Sequence, residues 1–238
     1  MYSFEFYNPV KVIFGAGEIQ RVGAEIAKLG KKTLIVSYEE HAFFSERLDR
    51  IRGLVRAEGV DTVDFLEVRN NPEVGMIAAG VQLAKKASCD CVLAVGGGSV
   101  MDAARAIAAG VCYEGGLWNR VYHRHDGSGS DEISPPEQAL ATLMVPTLPA
   151  TGSEMNMCSV LSNARLKEKS YIWAECLFPK AAIIDPELTV SLPPLLTACA
   201  AADSISHVLD IYINSPAHTT LQHYFPAGVM RTVTANVP

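Results

Sequence analysis

The chain has 238 residues, and 49% of them are hydrophobic, which is enough apolar material for a sizeable core in one large domain or two smaller ones. Its formal net charge is -6 and it has no block of lysine and arginine, so we expect no nucleic-acid partner. No apolar run approaches the roughly 20 residues of a membrane span, and the first residues lack the pattern of a secretion signal. The sequence therefore predicts a cytoplasmic protein with no membrane partner.

Short apolar runs alternate with helical patterns up to residue 186, which is typical of an α/β protein with a parallel sheet. Helices are predicted at 19–29, 44–58, 74–87 and 100–109. Strands are predicted at 32–36, 62–67, 91–95, 143–146 and 181–185. Residues 118–138 collect Gly, Ser, Asp and Pro, and are predicted to form a surface loop.

A proline cluster that begins at Pro186 marks a change of pattern, and the rest of the chain is predicted to be helical. We place a domain boundary there, between residues 1–186 and residues 187–238. The helical part is too short to enclose a site by itself, so we expect the protein to continue past Pro238. The six cysteines are scattered without a Cys-x-x-Cys pair, and we expect neither a disulfide nor a zinc knuckle.

Three glycines and a serine, Gly96-Gly97-Gly98-Ser99, lie between the predicted strand 91–95 and the next helix. A strand, a tight turn and a helix N-terminus in this order can bind phosphate, since glycine allows close backbone approach and the helix dipole favours an anion. An ordinary turn between a strand and a helix is the alternative, because the spacing is neither GxGxxG nor a Walker motif. Asp102 is either a stabilising charge in the first turn of that helix or a cofactor contact.

The segment from Thr147 to Glu154 carries three hydroxyls and a carboxylate after the predicted strand 143–146. Hydroxyl-rich loops suit phosphates and amides. Capping of the following segment by Thr151 or Ser153 is the simpler interpretation of the sequence alone.

Asp203 and His207 lie four positions apart in a predicted helix, so their side chains share one face. The apolar Leu196, Ala200 and Ile211 fall near that face, which predicts that the pair is half buried and needs a partner. A divalent metal would provide one, and so would an ion pair between the two residues themselves.

Together these stretches resemble the iron-containing (group III) alcohol dehydrogenase family over essentially the whole chain. The matching stretches, in order, are Phe14-Gly15-Ala16-Gly17, Gly96-Gly97-Gly98-Ser99 with Asp102, Pro146-Thr147-Leu148-Pro149-Ala150-Thr151-Gly152-Ser153-Glu154, Ile184-Asp185-Pro186-Glu187-Leu188-Thr189, and Asp203 with His207. The resemblance implies a dehydroquinate synthase-like architecture, in which a Rossmann-like dinucleotide-binding domain (1–186) precedes an all-helical domain whose beginning is 187–238.

The resemblance also implies an oxidoreductase that moves hydride between a primary alcohol or aldehyde and NAD or NADP, with a divalent metal as the Lewis acid. The implied metal is Fe(II), with Zn(II) as the alternative. A homodimer or higher oligomer, formed through an N-terminal strand near 10–14, is implied as well.

The cofactor-binding residues implied by the resemblance are Ser37, Glu39, Gly96, Gly97, Gly98, Ser99, Asp102, Thr147, Thr151, Ser153 and Lys169. The glycine stretch would hold the pyrophosphate, and Thr147 and Thr151 would line the nicotinamide half. Glu39 would accept a bond from a ribose 2′-hydroxyl and repel a 2′-phosphate, which favours NAD, unless a shift of one residue puts Tyr38 there. Lys169 has an alternative as a solvated surface charge.

Asp203 and His207 match the first two metal ligands of the family, whose two later histidines would lie beyond position 238. We expect two ligands to be too few for tight metal binding. Asp210 and Arg105 replace a glutamate and a lysine of relatives without removing a ligand. Four further histidines, His123, His125, His218 and His223, fall outside the matching motif.

Two alternatives stay open. One is a catalytically incompetent nucleotide-binding fragment that lacks the last two metal ligands. The other is the related glycerol dehydrogenase or dehydroquinate synthase type with zinc, although the Thr-Gly-Ser-Glu loop and the Asp-x-x-x-His pair favour the alcohol dehydrogenase branch.

Overall fold

The computed structural model describes residues 5–39, 42–120, 135–216 and 219–237. The chain divides into two compact units, each described here by itself. The first unit runs to Thr147 and resumes over Ser153–Leu188, and the second combines Leu148–Gly152 with the chain from Thr189 onward.

A parallel sheet forms the centre of the first unit. The strands, in chain order, are β1 (Lys11–Phe14), β2 (Lys32–Tyr38), β3 (Asp61–Val68), β4 (Cys91–Gly96), β5 (Ala141–Pro146), β6 (Cys158–Asn163), β7 (Glu168–Trp173) and β8 (Ala181–Ile184). Six of them form one sheet in the order β1-β8-β5-β4-β2-β3, in which every pair is parallel, whereas β6 and β7 form an antiparallel hairpin. The parallel sheet confirms the predicted fold class.

Helices connect the strands of the first unit and make up most of the second. They are α1 (Val22–Ile26), α2 (Ala42–Ala57), α3 (Val74–Ala87), α4 (Gly98–Val111), α5 (Leu117–Arg120), α6 (Pro194–Asn214) and α7 (Thr220–Asn236). Short 3₁₀ turns occur at Glu18–Arg21, Ser153–Met155, Glu175–Leu177 and Pro186–Leu188.

The parallel sheet is buried on both faces. On β2, Leu34 and Val36 belong to one apolar cluster with α3 and α4, while Ile35 belongs to the other cluster with α2. All six residues of β4 are buried. Because both faces are covered, these strands are continuous apolar runs, and this is why the sequence predicted them.

Some helices and strands of the structure differ from the sequence predictions. The predicted helix at 19–29 is a 3₁₀ turn followed by α1, which ends at Ile26 and closes through a bond from the Gly30 N–H to the Ile26 carbonyl (3.2 Å). The β6–β7 hairpin was not predicted, because on β6 buried Ser159 and Leu161 alternate with half-buried residues and leave no apolar run.

The predicted surface loop at 118–138 is also wrong at its start. Trp118 lies in α5 and is only 5% exposed, because its indole packs into the apolar cluster beneath α4. His123 and His125 lie outside the described residues.

The second unit is mainly the helix pair α6 and α7. On α6 the predicted apolar stripe is largely uncovered, since Leu196 is 45% and Ile211 is 54% exposed and only Ala200 is buried. Of the pair predicted to be half buried, Asp203 is half buried and His207 is exposed. A pair of helices can cover one face of each partner but not more. In the described part of the chain, no helix is both long and apolar enough to span a membrane.

Candidate functional site

The turn between β4 and α4 has the geometry of a phosphate-binding loop. Strand β4 ends at Gly96, Gly97 is the N-cap of α4, and no side chain caps the helix. The Gly97 carbonyl accepts hydrogen bonds from the N–H groups of Val100 (3.0 Å) and Met101 (3.1 Å), and these bonds start the helix. The N–H groups of the first helical residues, Gly98 and Ser99, take no part in them. These N–H groups and the helix dipole can therefore bind an anion.

Gly96 is required by packing at this turn. A Cβ atom at this position would lie 2.5 Å from Cγ2 of Val100 and 3.1 Å from Cε2 of Tyr38. The Gly96 carbonyl accepts the Thr147 N–H at 3.0 Å, which joins the loop to the end of β5. The glycine thus lets three segments meet at the carboxyl edge of the sheet.

The end of β2 lies beside the loop, because β2 is the neighbour of β4 in the sheet. Ser37 is buried and its hydroxyl donates to the Val95 carbonyl at 2.7 Å. Its hydroxyl is therefore used to hold the two strand ends together. Glu39, two residues further on, is exposed.

Asp102 and Arg105, on the first two turns of α4, form a hydrogen-bonded cluster with Ser153 of the 3₁₀ turn after β5. The Arg105 Nη1 donates to Ser153 Oγ at 2.8 Å, and Ser153 Oγ in turn donates to Asp102 Oδ1 at 3.1 Å. Arg105 Nη1 is 3.4 Å from the same carboxylate oxygen. Ser153 was predicted either to bind cofactor or to cap a helix, and in the structure its hydroxyl bridges the ion pair.

Burial controls the charges of this cluster. It raises the pKa of the Asp102 carboxyl to about 6, although Arg105 and the Ser153 hydroxyl both act to lower it. Burial also lowers the pKa of Arg105 to about 10, so the guanidinium stays protonated at neutral pH. The pair is therefore ionic above about pH 6.

Arg105 is a residue whose role the sequence did not reveal. Its side chain is fully buried, and among the described residues its Nε and Nη2 atoms have no hydrogen-bond partner. The sequence showed only that an arginine replaces a lysine of relatives. No local pattern signals a contact between α4 and a turn 48 positions later.

The hairpin brings Lys169 towards the same edge of the first unit. Lys169 Nζ donates to Asn71 Oδ1 at 3.0 Å, and its charge acts to lower the pKa of Asp102. Asn71 follows β3 and has a positive φ of 57°. Asn71 is not among the predicted site residues, although the pair Asn71-Pro72 marks a turn in the sequence.

Thr147 and Thr151, which are also predicted to contact the cofactor, fall in different units. Thr147 belongs to the first unit and is half buried, whereas Thr151 is exposed and belongs to the second.

The predicted metal ligands lie on α6. Asp203 Oδ2 and His207 Nε2 are 3.6 Å apart, and their side chains are 45% and 61% exposed. Carboxylate and imidazole suit Fe(II) and Zn(II). Among the described residues, however, no group of three or more His, Cys, Asp or Glu side chains could hold a metal ion. The two donors fit part of such a site and do not complete one.

Two further histidines of the helical part, His218 and His223, fall outside the motif that holds the predicted metal ligands. His223, on α7, packs against Tyr212 with ring centroids 5.0 Å apart. His218 lies outside the described residues.

The sequence matches the family described as iron-containing alcohol dehydrogenase over residues 9–186. The chain belongs to this family. A relative from Bacillus subtilis, the probable NADH-dependent butanol dehydrogenase 1, is 37% identical over the whole chain, which covers 59% of that relative. The NADPH-dependent aldehyde reductase YqhD of Escherichia coli is 28% identical, again over the whole chain and 59% of the relative.

Solved structures of the family have the same fold. The crystal structure of NADH-dependent butanol dehydrogenase A from Thermotoga maritima matches with a TM-score of 0.86 and 34% identity, over 99% of this chain and 57% of that one. The chain thus spans less than two thirds of the length of the relatives it matches.

Proposed function

We propose that the first unit binds the pyrophosphate of NAD(H) at the glycine loop, and that the whole protein moves hydride between a primary alcohol or aldehyde and the nicotinamide. The observation that carries the proposal is the buried strand β4, which leads through Gly96 into the uncapped N-terminus of α4 in a chain of this family. In domain terms, residues 1–186 would be the dinucleotide-binding domain and residues 187–238 the start of a helical metal-binding domain.

Each chain segment at the loop would have its own task. The N–H groups of Gly97, Gly98 and Ser99 would bind the pyrophosphate, and Asp102 would lie beside the cofactor, held by Ser153 and Arg105. Thr147 and Thr151 would line the nicotinamide half, and Lys169 would add a positive charge that attracts the cofactor.

NAD is the preferred cofactor in this proposal. Glu39 is an exposed carboxylate at the end of the strand beside β4, where a dinucleotide fold meets the adenosine ribose. It would accept the 2′-hydroxyl of NAD and repel the 2′-phosphate of NADP. The relatives include both types, since the butanol dehydrogenases are named for NADH and the aldehyde reductase for NADPH.

Asp203 and His207 would contribute two ligands to an Fe(II) site, or alternatively a Zn(II) site. A divalent ion there supplies a Lewis acid that lowers the pKa of an alcohol. Further donors would be needed to complete the coordination. A second candidate is nucleotide binding without hydride transfer by these 238 residues alone, because the described residues include no group of three or more metal donors.

A homodimer through β1 and a cytoplasmic location complete the proposal. Strand β1 is at the edge of the sheet, with Phe14 70% and Val12 42% exposed, and an edge strand offers unpaired backbone groups to a partner. All six cysteines carry free thiols, which suits a reducing compartment.

Calorimetric titration of the 238-residue chain with NADH and NADPH tests the nucleotide site. We expect NADH to bind more tightly, and Glu39→Gln to narrow the difference. Absence of binding for both would contradict the proposal. Titration of the same chain with Fe(II) or Zn(II) tests the metal site. We expect weak binding, because Asp203 and His207 are only two ligands, and tight binding of one ion per chain at these residues would contradict that expectation.

A further inference from the structure

The ion pair of Asp102 and Arg105 lies close to the glycine loop. Asp102 is four residues along α4 from Gly98, the first residue of the helix, which corresponds to about 6 Å along the helix axis. Side chains on a helix lean towards its N-terminus, so the Cβ of Asp102 lies on the loop side of its own Cα. A full negative charge at this distance opposes the binding of an anion at the helix N-terminus.

Arg105 is the group that offsets this charge. Its Nη1 atom is 3.4 Å from Asp102 Oδ1, and the Ser153 hydroxyl bridges the two groups by accepting from Arg105 and donating to Asp102. The guanidinium is fully buried, and in the described part of the chain its Nε and Nη2 atoms have no hydrogen-bond partner. A buried pair of this kind is often no more stable than apolar side chains of the same size. The stability of the fold therefore does not explain why a cation lies here.

Two further charges act on the pair. Burial raises the pKa of Asp102 to about 6, while Arg105 and Lys169 of the hairpin act to lower it. Burial lowers the pKa of Arg105 to about 10, and the Glu154 carboxylate acts in the opposite direction. These two acids and two bases have no net charge together while Asp102 is ionised. Protonation of Asp102 leaves one positive charge in excess.

Two other titratable groups interact with the Asp102 charge, and both are neutral. They are the phenol of Tyr38 on β2 and the thiol of Cys158 on β6. Burial raises the pKa of both groups, that of Cys158 to about 11, so neither is charged near neutral pH. The charge next to the loop therefore changes with Asp102 and is held in balance by Arg105.

We propose that Arg105 is the counter-ion of the nucleotide site, whose guanidinium offsets the Asp102 carboxylate so that a diphosphate can bind at the glycine loop. This inference rests on the proposed nucleotide site and adds an electrostatic determinant of its affinity. Arg105 stays protonated, so loss of the Asp102 charge leaves the guanidinium unopposed. An anionic ligand at the loop then binds more tightly.

Neutralisation of Asp102 tests this balance by calorimetric titration. The probe is ADP, which carries the diphosphate without the nicotinamide. We expect Asp102→Asn to lower the dissociation constant of ADP about three- to tenfold at pH 8 and low ionic strength. The matched control is Asp49→Asn, because Asp49 pairs with Arg52 at the same spacing on α2, which covers the other face of the sheet. It should leave the constant unchanged.

The pH profile separates this electrostatic effect from a structural one. At pH 5 the wild-type carboxyl is mostly protonated, so wild type and Asp102→Asn should bind ADP with nearly equal constants. Protonation of ADP itself affects both proteins alike and cancels in the ratio of their constants. A ratio that stays the same from pH 5 to pH 8 would overturn the inference.

The double variant Asp102→Asn with Arg105→Met tests the guanidinium itself. It removes both charges and leaves no buried ion unpaired, so its dissociation constant for ADP at pH 8 should return to that of the wild type. A double variant that binds ADP as tightly as Asp102→Asn would show that the Arg105 charge does not act on the ligand, and would overturn the inference.

The same titrations distinguish the inference from the proposed function. If wild-type protein binds neither ADP nor NADH, the nucleotide site fails and the inference fails with it. If wild-type protein binds ADP, but Asp102→Asn binds it equally or more weakly at pH 8, only the inference fails. Weaker binding would identify the carboxylate as a direct contact of the nucleotide.

Discussion

The Asp185 carboxylate accepts the Ile19 N–H at 3.0 Å, across 166 positions of the chain. Its other oxygen accepts the Glu187 N–H, also at 3.0 Å, and the residue is only 1% exposed. One side chain thus ties the turn after β1 to the end of β8. Two stretches that identify the family in the sequence, around Phe14 and around Asp185, are therefore neighbours in space.

Asp185→Ala is expected to lower the free energy of unfolding by about 2–4 kcal/mol, because the buried Ile19 N–H and the partly buried Glu187 N–H both lose their acceptor. Urea denaturation measures the change. The control is Asp49→Ala, which removes a 70% exposed partner of Arg52 and should cost about 0.5 kcal/mol or less. Equal effects of the two substitutions would contradict the structural role of Asp185.

Arg105→Met is expected to destabilise the protein by about 3–5 kcal/mol, since it removes the cation beside a carboxylate whose side chain is only 17% exposed. The double variant Asp102→Asn with Arg105→Met should recover much of that loss, because no charge is then left unpaired. A double-mutant cycle from denaturation curves measures the coupling. Additive effects would show that the two residues do not act as a pair.

The raised pKa of Asp102 predicts a pH dependence of stability. Its folded-state pKa of about 6 lies above the ordinary value of 3.8, so the folded protein holds the proton more tightly than the unfolded chain. The contribution of Asp102 to stability is therefore fully present below about pH 4 and is lost as the pH rises through 6. Relative to Asp102→Asn, the wild type should lose about 3 kcal/mol over this range.

Denaturation of both proteins between pH 4 and pH 8 checks this sign. The difference between wild type and Asp102→Asn should be constant above about pH 7. A difference that grows in favour of the wild type as the pH rises would mean that the ion pair with Arg105 outweighs burial.

Gly96→Ala is expected to weaken ADP binding about tenfold and to destabilise the fold by about 1–3 kcal/mol, because its Cβ would meet the Val100 side chain. Gly53→Ala on α2 is the matched control, since a Cβ there meets nothing within 4 Å. It should raise stability by about 0.5–1 kcal/mol and leave ADP binding unchanged. Thermal denaturation and calorimetry together test both.

Local patterns predicted the parts of the fold that are determined locally. The runs at Leu34 and Leu93 indicated strands buried on both faces, and the glycines after β4 indicated the loop. The hairpin β6–β7 escaped prediction because its strands are buried on one face only and carry serines at buried positions.

The polar cluster at the site could be predicted only in part. Asp102 and Ser153 were candidates from their motifs, but nothing in either motif indicates that a buried arginine joins them. The hydrogen bond between Arg105 and Ser153 exists because α4 packs against the turn after β5. That packing depends on the arrangement of the whole sheet. The same holds for Tyr38, whose place over Gly96 follows from the order of the strands.

The strand order also has a consequence for how this chain reaches its fold. Strand β1 lies at the edge of the sheet and pairs only with β8 in it. Of the strands described, β1 is synthesised first and β8 last, so β1 cannot form its pairing until β8 has been synthesised. During synthesis the segments that form β2, β3 and β4 can associate much earlier. The side chain of Ile13, which is only 5% exposed in the folded protein, therefore stays uncovered on the nascent chain until β8 has formed beside β1.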